Sequence, residues 1–202
     1  MIVIIDYGVG NLFSLISSFK MIGEEAVVSS DADVIRGADK LILPGVGAFP
    51  DAKRKLDESG LVSVISECKE KGTPILGICL GMQMLFERSY EYGTHEGLGL
   101  LKGEIVGMEG RIPNELKIPH IGWNALHIRG SHPIFKYVNE NDSVYFVHSY
   151  YAVGCEESLL ASAEYGEELT AAVAHNNVAG TQFHPEKSGN VGLGILKAFA
   201  EW

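Results

Sequence analysis

Apolar residues recur along the first half of the chain in two alternating rhythms. Short unbroken runs, "MIVIID" (1–6), "EAVVSS" (25–30), "KLILPG" (40–45) and "PILGIC" (74–79), have the length and branching of strands buried on both faces. Between them lie stretches with helical spacing. In "NLFSLISSFKMIG" (11–23), Leu12, Leu15, Ile16, Phe19 and Ile22 follow the i, i+3, i+4, i+7 stripe, with Asn11 placed to cap the first turn and Gly23 to stop the last. One long helical stretch fills the interval between the third and fourth runs, and another is expected from Leu80 to Glu87 with Leu85 and Phe86 inward. Strands alternating with helices predict a parallel sheet covered on both faces.

The second half changes rhythm. "LLKGEIVGM" (100–108), "IPHIGWNALHI" (118–128), "SVYFVHSYYAV" (143–153), "LLASAEY" (159–165), "LTAAVAH" (169–175) and "VAGTQFHPE" (178–186) predict strands, several joined by hairpin-like turns such as "HNN". "GLGILKAFAEW" closes the chain as an amphipathic helix. The expectation is one α/β domain over residues 1–202: a mostly parallel central sheet with helices on both faces and antiparallel additions in the second half. A chain of 202 residues is long enough to bury a full core without disulfides or metals.

Composition narrows the function classes. With 46% hydrophobic and 21% charged residues, no apolar run approaches the roughly 18 residues of a membrane span. The N-terminus lacks the basic segment and small-residue cleavage site of a secretory signal, so a cytoplasmic location is expected. A formal net charge of -10 without a lysine or arginine cluster argues against a general grip on nucleic acid, which works by neutralising phosphates. The three cysteines, Cys68, Cys79 and Cys155, are odd in number and irregularly spaced, unlike a disulfide framework or a zinc knuckle. The seven histidines form no HxxxH or HxH pair with a nearby cysteine, and no metal site is expected.

Cys79 is the residue that raises a chemical question. The frame Gly77-Ile78-Cys79-Leu80-Gly81 has the GxNxG form of a nucleophile elbow, where a tight strand-to-helix turn exposes the central side chain. Such a turn places sulfur at a helix N-terminus, which favours thiolate over thiol. A thiolate nucleophile needs a proton-handling partner held in orientation. "TQFHPEKS" supplies His184 and Glu186, two residues apart, whose side chains leave on the same side of an extended segment. In "LILPGVGAF", glycines flank Val46 in a loop able to aim N–H groups inward, and the Leu80 N–H is the matching second donor for an oxyanion. Cys68 and Cys155 are expected to be structural.

"PGVGAF", "GICLGMQ" and "FHPEKS", in this order, resemble the class I, or triad, glutamine amidotransferases, and the resemblance covers nearly the whole chain. Within that family, "IIDYGVGNL", "IPHIGWN" and "YFVHSYYA" are closest to members that serve histidine biosynthesis. The resemblance implies a flavodoxin-like amidotransferase domain in which Cys79 forms a glutamyl thioester, His184 is general acid and base, and Glu186 orients it. It further implies an oxyanion hole at Val46, Gly47 and Leu80. The glutamine pocket would comprise Gly47, Gln83, Glu91, Ser149 and Tyr150, with no cofactor.

The same resemblance implies a partner, a (β/α)8-barrel cyclase chain. It would take ammonia internally and use it on a phosphorylated ribosyl-aminoimidazole intermediate. Asn11, Pro119, Trp123, Tyr145 and Lys187 would lie at or near that interface. Trp123, beside glycine and proline turns, suits either a partner anchor or a core strand. Val46, where many relatives have a third glycine, resists a backbone flip, which implies an oxyanion donor turned away until the partner docks. Two other readings share the motifs: another triad amidotransferase subunit or a γ-glutamyl peptidase, and a non-catalytic redox-sensing protein on the same sheet. The second has no need of a downstream His-x-Glu.

Overall fold

A computed structural model describes residues 1–202. The first half runs β1 (Ile2–Ile5), α1 (Leu12–Met21), β2 (Ala26–Ser29), α2 (Ala32–Arg36), β3 (Lys40–Leu43), α3 (Phe49–Glu58), α4 (Leu61–Glu70), β4 (Ile75–Ile78) and α5 (Leu80–Met84). The second half adds β5 (Arg88–Ser89), β6 (His95–Glu96), β7 (Glu104–Gly107), β8 (His120–Ala125), β9 (His127–Ile128), β10 (Ser143–His148), β11 (Tyr150–Val153), β12 (Leu159–Glu164), β13 (Glu168–His175), β14 (Val178–Thr181) and α6 (Gly189–Glu201).

Eight strands form the main sheet in the order β2-β1-β3-β4-β14-β13-β12-β9. The pairings from β2 through β14 are parallel, and those from β14 to β9 are antiparallel. This is the expected α/β architecture, with its antiparallel additions gathered on one side. The turn that joins β13 to β14 carries Asn176 at φ 54°, a left-handed conformation that asparagine tolerates better than most residues.

Period-2 alternation along the short parallel strands divides the core in two. Val3, Ile5, Leu41, Leu43 and Ile75 face one side, where Ile35, Leu56, Leu61, Val64 and Met82 from α2 to α5 cover them. Ile2, Ile4, Ile42, Leu76 and Ile78 face the other, under Leu15 and Phe19 of α1 and Ile195, Leu196 and Phe199 of α6. Both faces are buried along β1, β3 and β4, which is why these strands carry unbroken apolar runs; β2, expected to be buried likewise, lies at the sheet edge with Val27 exposed.

Local expectations fail where tertiary contacts override the pattern. In α1, Ile16 is exposed rather than inward; the buried face is Leu15, Ser18 and Phe19, with Leu12 and Ile22 packed at its margin. Asn11 does cap this helix, its Oδ1 accepting from Ser14 N–H at 3.3 Å. The single long helical stretch is two helices, broken at Gly60 with φ 72°. The helix after Cys79 ends at Met84, not Glu87, because the carbonyls of Met84 to Glu87 accept from N–H groups of the loop 97–101 instead of from a next helical turn. Leu85 and Phe86 are nonetheless fully buried. "SVYFVHSYYAV" is not one strand: it breaks at Ser149, with β10 pairing only β8 and β11 joining β7, β5 and β6 in a separate four-stranded sheet.

Glycines set how closely these layers approach. A Cβ on Gly81 would stand 1.9 Å from the Leu43 carbonyl oxygen, so the β3 end and α5 touch backbone to backbone. Gly81→Ala is expected to lower unfolding free energy by about 3 kcal/mol or more in urea titration, since neither backbone can yield. Gly37→Ala, whose nearest contact is 3.4 Å, is the control and should shift stability by less than about 1 kcal/mol.

Candidate active site

Cys79 occupies the turn between β4 and α5 with φ 54° and ψ -112°, a conformation unusual for a side chain with Cβ. Such backbone strain costs of order 1–3 kcal/mol and persists only where the surroundings enforce it. Here they do. Cys79 N–H donates to Thr181 O of β14 at 2.7 Å, and its carbonyl accepts from Gln83 N–H at 3.1 Å to open α5. A Cβ on Gly77 would lie 2.8 Å from the Gly81 oxygen, and one on Gly45 would lie 2.6 Å from the Gly81 nitrogen. Gly45 and Gly81 therefore let the end of β3 and its loop press against the elbow, and Gly77 lets α5 close over β4. The five residues of α5 present first-turn N–H groups near sulfur, but the aligned dipole of a long helix is not available, contrary to the expectation of a helix to Glu87.

Because β14 pairs with β4 in the register Thr181 opposite Ile78, the residues that follow Thr181 emerge beside Cys79. Gln182 Nε2 points at Cys79 Sγ from 3.8 Å. His184 Nδ1 lies 2.8 Å from Glu186 Oε1, with both side chains almost wholly buried. The expected pair is present, but not on an extended segment. The strand ends at Thr181, and Pro185 opens a short 3-10 turn over Pro185–Lys187 that swings Glu186 back under the imidazole. His184 N–H donates to Tyr145 O at 3.1 Å, and Ser188 Oγ donates to His184 O at 2.6 Å, so the backbone carrying the imidazole is tied to β10.

Burial alone strongly disfavours a charged imidazole at His184. Hydrogen bonds to Cys79 and Glu186, with the negative charge of both, outweigh it and raise the His184 pKa to about 9. The arrangement holds an imidazolium at neutral pH between sulfur and carboxylate.

A cavity of about 310 Å³ opens at this point. It is lined by Val46, Gly47, Cys79, Leu80, Gln83, Glu91, Ser149, Tyr150 and His184, which brings the proposed oxyanion and glutamine residues together. Pro119 and Lys187 also line it. Asn11, Trp123 and Tyr145 do not. Trp123 is 59% exposed rather than in the core, and stands edge-on to Tyr145 at 6.1 Å on the β8/β10 ribbon.

Two pocket residues are already engaged. Gln83, expected in the pocket, is buried, and its Nε2 donates to Tyr150 O and Gln182 Oε1, each at 3.0 Å. Glu91 Oε2 accepts from Phe49 N–H at 2.7 Å, capping α3 where Ala48 has no side chain able to do so. Burial raises the Glu91 pKa, opposed by that N–H and by His95.

Sequence reasoning passed over three polar groups here. Tyr7 Oη donates to Pro44 O at 2.6 Å and anchors the loop after β3. Gln182 bridges Gln83 and the thiol. His148 lines the cavity, and its signal was available: Val144, Phe146 and His148 alternate inward along β10, so a polar residue falls in a core position. The other two cysteines are buried and bonded elsewhere, Cys68 to Ile35 O at 3.6 Å and Cys155 to Thr170 Oγ1 at 3.5 Å, and burial pushes both thiols up. A second cavity of about 320 Å³ includes Cys155 but lacks an oriented histidine–carboxylate pair.

The family model described as glutamine amidotransferase class-I matches residues 3–200. The chain belongs to the class-I glutamine amidotransferases. Imidazole glycerol phosphate synthase subunit HisH of Lactococcus lactis subsp. lactis (strain IL1403) is 53% identical over 201 residues, covering 99% of this chain and 98% of that protein. The protein of the same name from Caldanaerobacter subterraneus subsp. tengcongensis (strain DSM 15242 / JCM 11007 / NBRC 100824 / MB4) is 52% identical over 202 residues, 100% of this chain and 98% of its own. A crystal structure titled glutamine amidotransferase superposes with a TM-score of 0.75 over 98% of both chains at 20% identity, a likeness of fold.

The charge arrangement has a direct readout. A raised histidine pKa stabilises the fold below the ordinary value near 6.5, and that contribution disappears as pH rises through about 9. In an NMR titration the His184 imidazole, assigned through His184→Asn, should keep its proton beyond pH ~8. Glu186→Gln should lower its midpoint by about one unit or more. A midpoint left near 6.5 in the unmodified chain contradicts the assignment.

Proposed function

We propose that Cys79, His184 and Glu186 hydrolyse glutamine to glutamate and ammonia, and that the ammonia goes to a cyclase subunit that forms imidazole glycerol phosphate and AICAR in histidine biosynthesis. The observation that carries this is the buried His184–Glu186 pair beside an elbow cysteine in one pocket. The relatives of about 50% identity are synthase subunits by name, which supports both the activity and the existence of a partner.

The chemistry follows from charge. Sγ of Cys79, as thiolate, attacks the carboxamide carbon of glutamine. Negative charge then moves to the former carbonyl oxygen, where N–H groups at Val46, Gly47 and Leu80 stabilise it. The His184 imidazolium gives its proton to the leaving nitrogen, the C–N bond breaks, ammonia departs and a γ-glutamyl thioester remains. His184, now neutral, takes a proton from water as that water attacks the thioester; the C–S bond breaks, and glutamate and the thiolate are restored. Glu186 holds the Nδ1–H and stabilises the imidazolium throughout.

Residues 1–202 act as one amidotransferase domain in the cytoplasm, paired with a (β/α)8-barrel cyclase as a heterodimer. Trp123, Tyr145, Pro119 and Lys187, with Asn11 at the start of α1, form the docking face. An exposed tryptophan packed on a tyrosine suits an interface anchor. Ammonia freed in the cavity would otherwise be lost to water, so docking and hydrolysis are coupled.

Glutamine hydrolysis by the purified chain, with and without a cyclase-type barrel and its ligand, tests this reading. Stimulation by the liganded partner is expected, and Cys79→Ala should reduce the rate on the order of 10³-fold or more. Fast hydrolysis without a partner would instead favour a free γ-glutamyl hydrolase.

Val46 is 42% exposed between Gly45 and Gly47, the latter at φ 92°. Val46→Gly should raise the partner-free rate about tenfold by releasing the branched side chain's hold on the adjacent peptide. An unchanged rate would place the gate elsewhere.

A further inference from the structure

Two buried histidines have no part in the chemistry above. His120, on β8, and His148, at the end of β10, are partners in the antiparallel register of the two-stranded ribbon, and both are almost wholly buried. His120 Nδ1 stands 3.2 Å from His148 Nε2. On its other side, His148 Nδ1 lies 2.9 Å from the Tyr150 carbonyl oxygen.

The proton arrangement along this line follows from the donors. A carbonyl only accepts, so His148 carries its proton on Nδ1. Burial pushes the His148 pKa down to about 3 and that of His120 to about 4, and both rings are neutral at physiological pH. Neutral His148 therefore has a bare Nε2, which accepts, and His120 must donate from Nδ1. Both rings are fixed as Nδ1–H tautomers, giving one unbroken direction of donation from His120 to His148 to the Tyr150 carbonyl. That carbonyl also accepts from Gln83 Nε2 at 3.0 Å.

The line joins two small sheets that the chain itself connects through the single residue Ser149. The chain passes from one small sheet to another at Ser149, whose carbonyl accepts from Met108 N–H at 2.9 Å, so Ser149–Tyr150 is held to β7 while no strand ladder ties it to the ribbon. His120 is packed into the ribbon between Phe146 at 4.9 Å and Tyr165 at 4.0 Å, both nearly parallel to it. Three residues along β8 from His120 is Trp123, paired with Tyr145 on the exposed side of the same ribbon. His148 itself lines the cavity that holds Cys79.

We propose that His120 and His148 are positioning residues for glutamine: their hydrogen-bond line fixes the Ser149–Tyr150 backbone that cradles the substrate, and links it to the ribbon that carries Trp123. The proposal rests on the glutaminase reading of the site. Neither imidazole gives or takes a proton in the reaction. A shift of the ribbon reaches the pocket through the Nδ1–H donors as well as through Ser149, and it acts on glutamine binding before it acts on the thioester chemistry.

Three measurements test it. In ¹⁵N spectra of the wild-type chain, His120 and His148 should both show the Nδ1–H tautomer; an Nε2–H assignment for His148 overturns the proposal without reference to activity or to any variant's stability. In glutaminase assays of the chain complexed with a liganded cyclase barrel, His148→Leu should raise KM for glutamine about tenfold while kcat falls less than about threefold. His148→Asn, whose amide keeps a donor at the Nδ1 position, should return KM to within about threefold of wild type. His120→Leu should raise KM in the same direction, and combined with His148→Leu should add little, because both interrupt one line.

Equal KM in the leucine and asparagine variants at position 148, or additive effects at the two positions, overturns the relay. A wild-type complex inactive on glutamine would overturn the glutaminase reading instead, and the tautomer measurement would still decide whether the line exists.

Discussion

The parallel pairing of β4 with β14 is the constraint from which the rest of the site follows. Ile78 stands opposite Thr181, and Cys79 N–H donates to the Thr181 carbonyl, so two segments far apart in sequence leave the sheet side by side. Sulfur and imidazole become neighbours through register, not through any affinity between them. A slip of one residue would turn every side chain of β14 to the opposite face and carry His184 away from the thiol. The slip is opposed by both cores at once, because β14 and β4 lie at the centre of the main sheet and are buried on both faces. Site geometry and core packing are thus one requirement.

Electrostatics then divides three buried histidines into two kinds. Burial acts on His184 and His148 in the same direction, favouring the neutral ring. His184 meets Cys79 and the Glu186 carboxylate and is pushed up, whereas burial pushes His148 down, opposed by the Tyr150 carbonyl and reinforced by repulsion from the His120 and His184 imidazoles. The protein places carboxylate and sulfur beside one imidazole and withholds them from the other two. The outcome is a proton donor and acceptor held next to fixed, uncharged hydrogen-bond donors, without a second cation that would repel the imidazolium.

Much of this was legible in the sequence, for identifiable reasons. Unbroken apolar runs gave the parallel strands because burial on two faces leaves no polar register, and "GICLG" with "FHPE" pointed to a cysteine and a histidine–glutamate pair that the fold brings to one pocket, because the proposed chemistry demands particular residue types. What stayed hidden depends on tertiary contacts. The end of α5 is set by N–H groups from residues 97–101, the break of the long helix by one left-handed glycine, and the outward turn of Ile16 by how α1 lies on α6. The geometry of the His184–Glu186 pair depended on a 3-10 turn where extended backbone was the simpler expectation. Gln83 and Glu91 were named for the pocket, but their commitment to Tyr150 and Phe49 is visible only once the chain is folded.

The loop after β3 shows how rigidity and freedom are apportioned within a few residues. Its start is fixed by Tyr7, which donates to the Pro44 carbonyl, and its end by Glu91, which accepts from Phe49 N–H. Gly45 has no latitude, since even a methyl group there would meet Gly81 and Leu80 at under 3 Å. Gly47 is different: a Cβ built on it meets nothing within 4 Å, and its φ of 92° is one that glycine leaves as easily as it enters. Backbone rearrangement in this loop is therefore least opposed at the peptides around Val46 and Gly47, the ones proposed to stabilise a developing oxyanion. Clamps on both sides keep that motion from reaching the elbow or the mouth of α3. Under the proposed oxyanion role, a change of state there would need only the local rearrangement of one branched residue and one glycine, away from Cys79, His184 and Glu186.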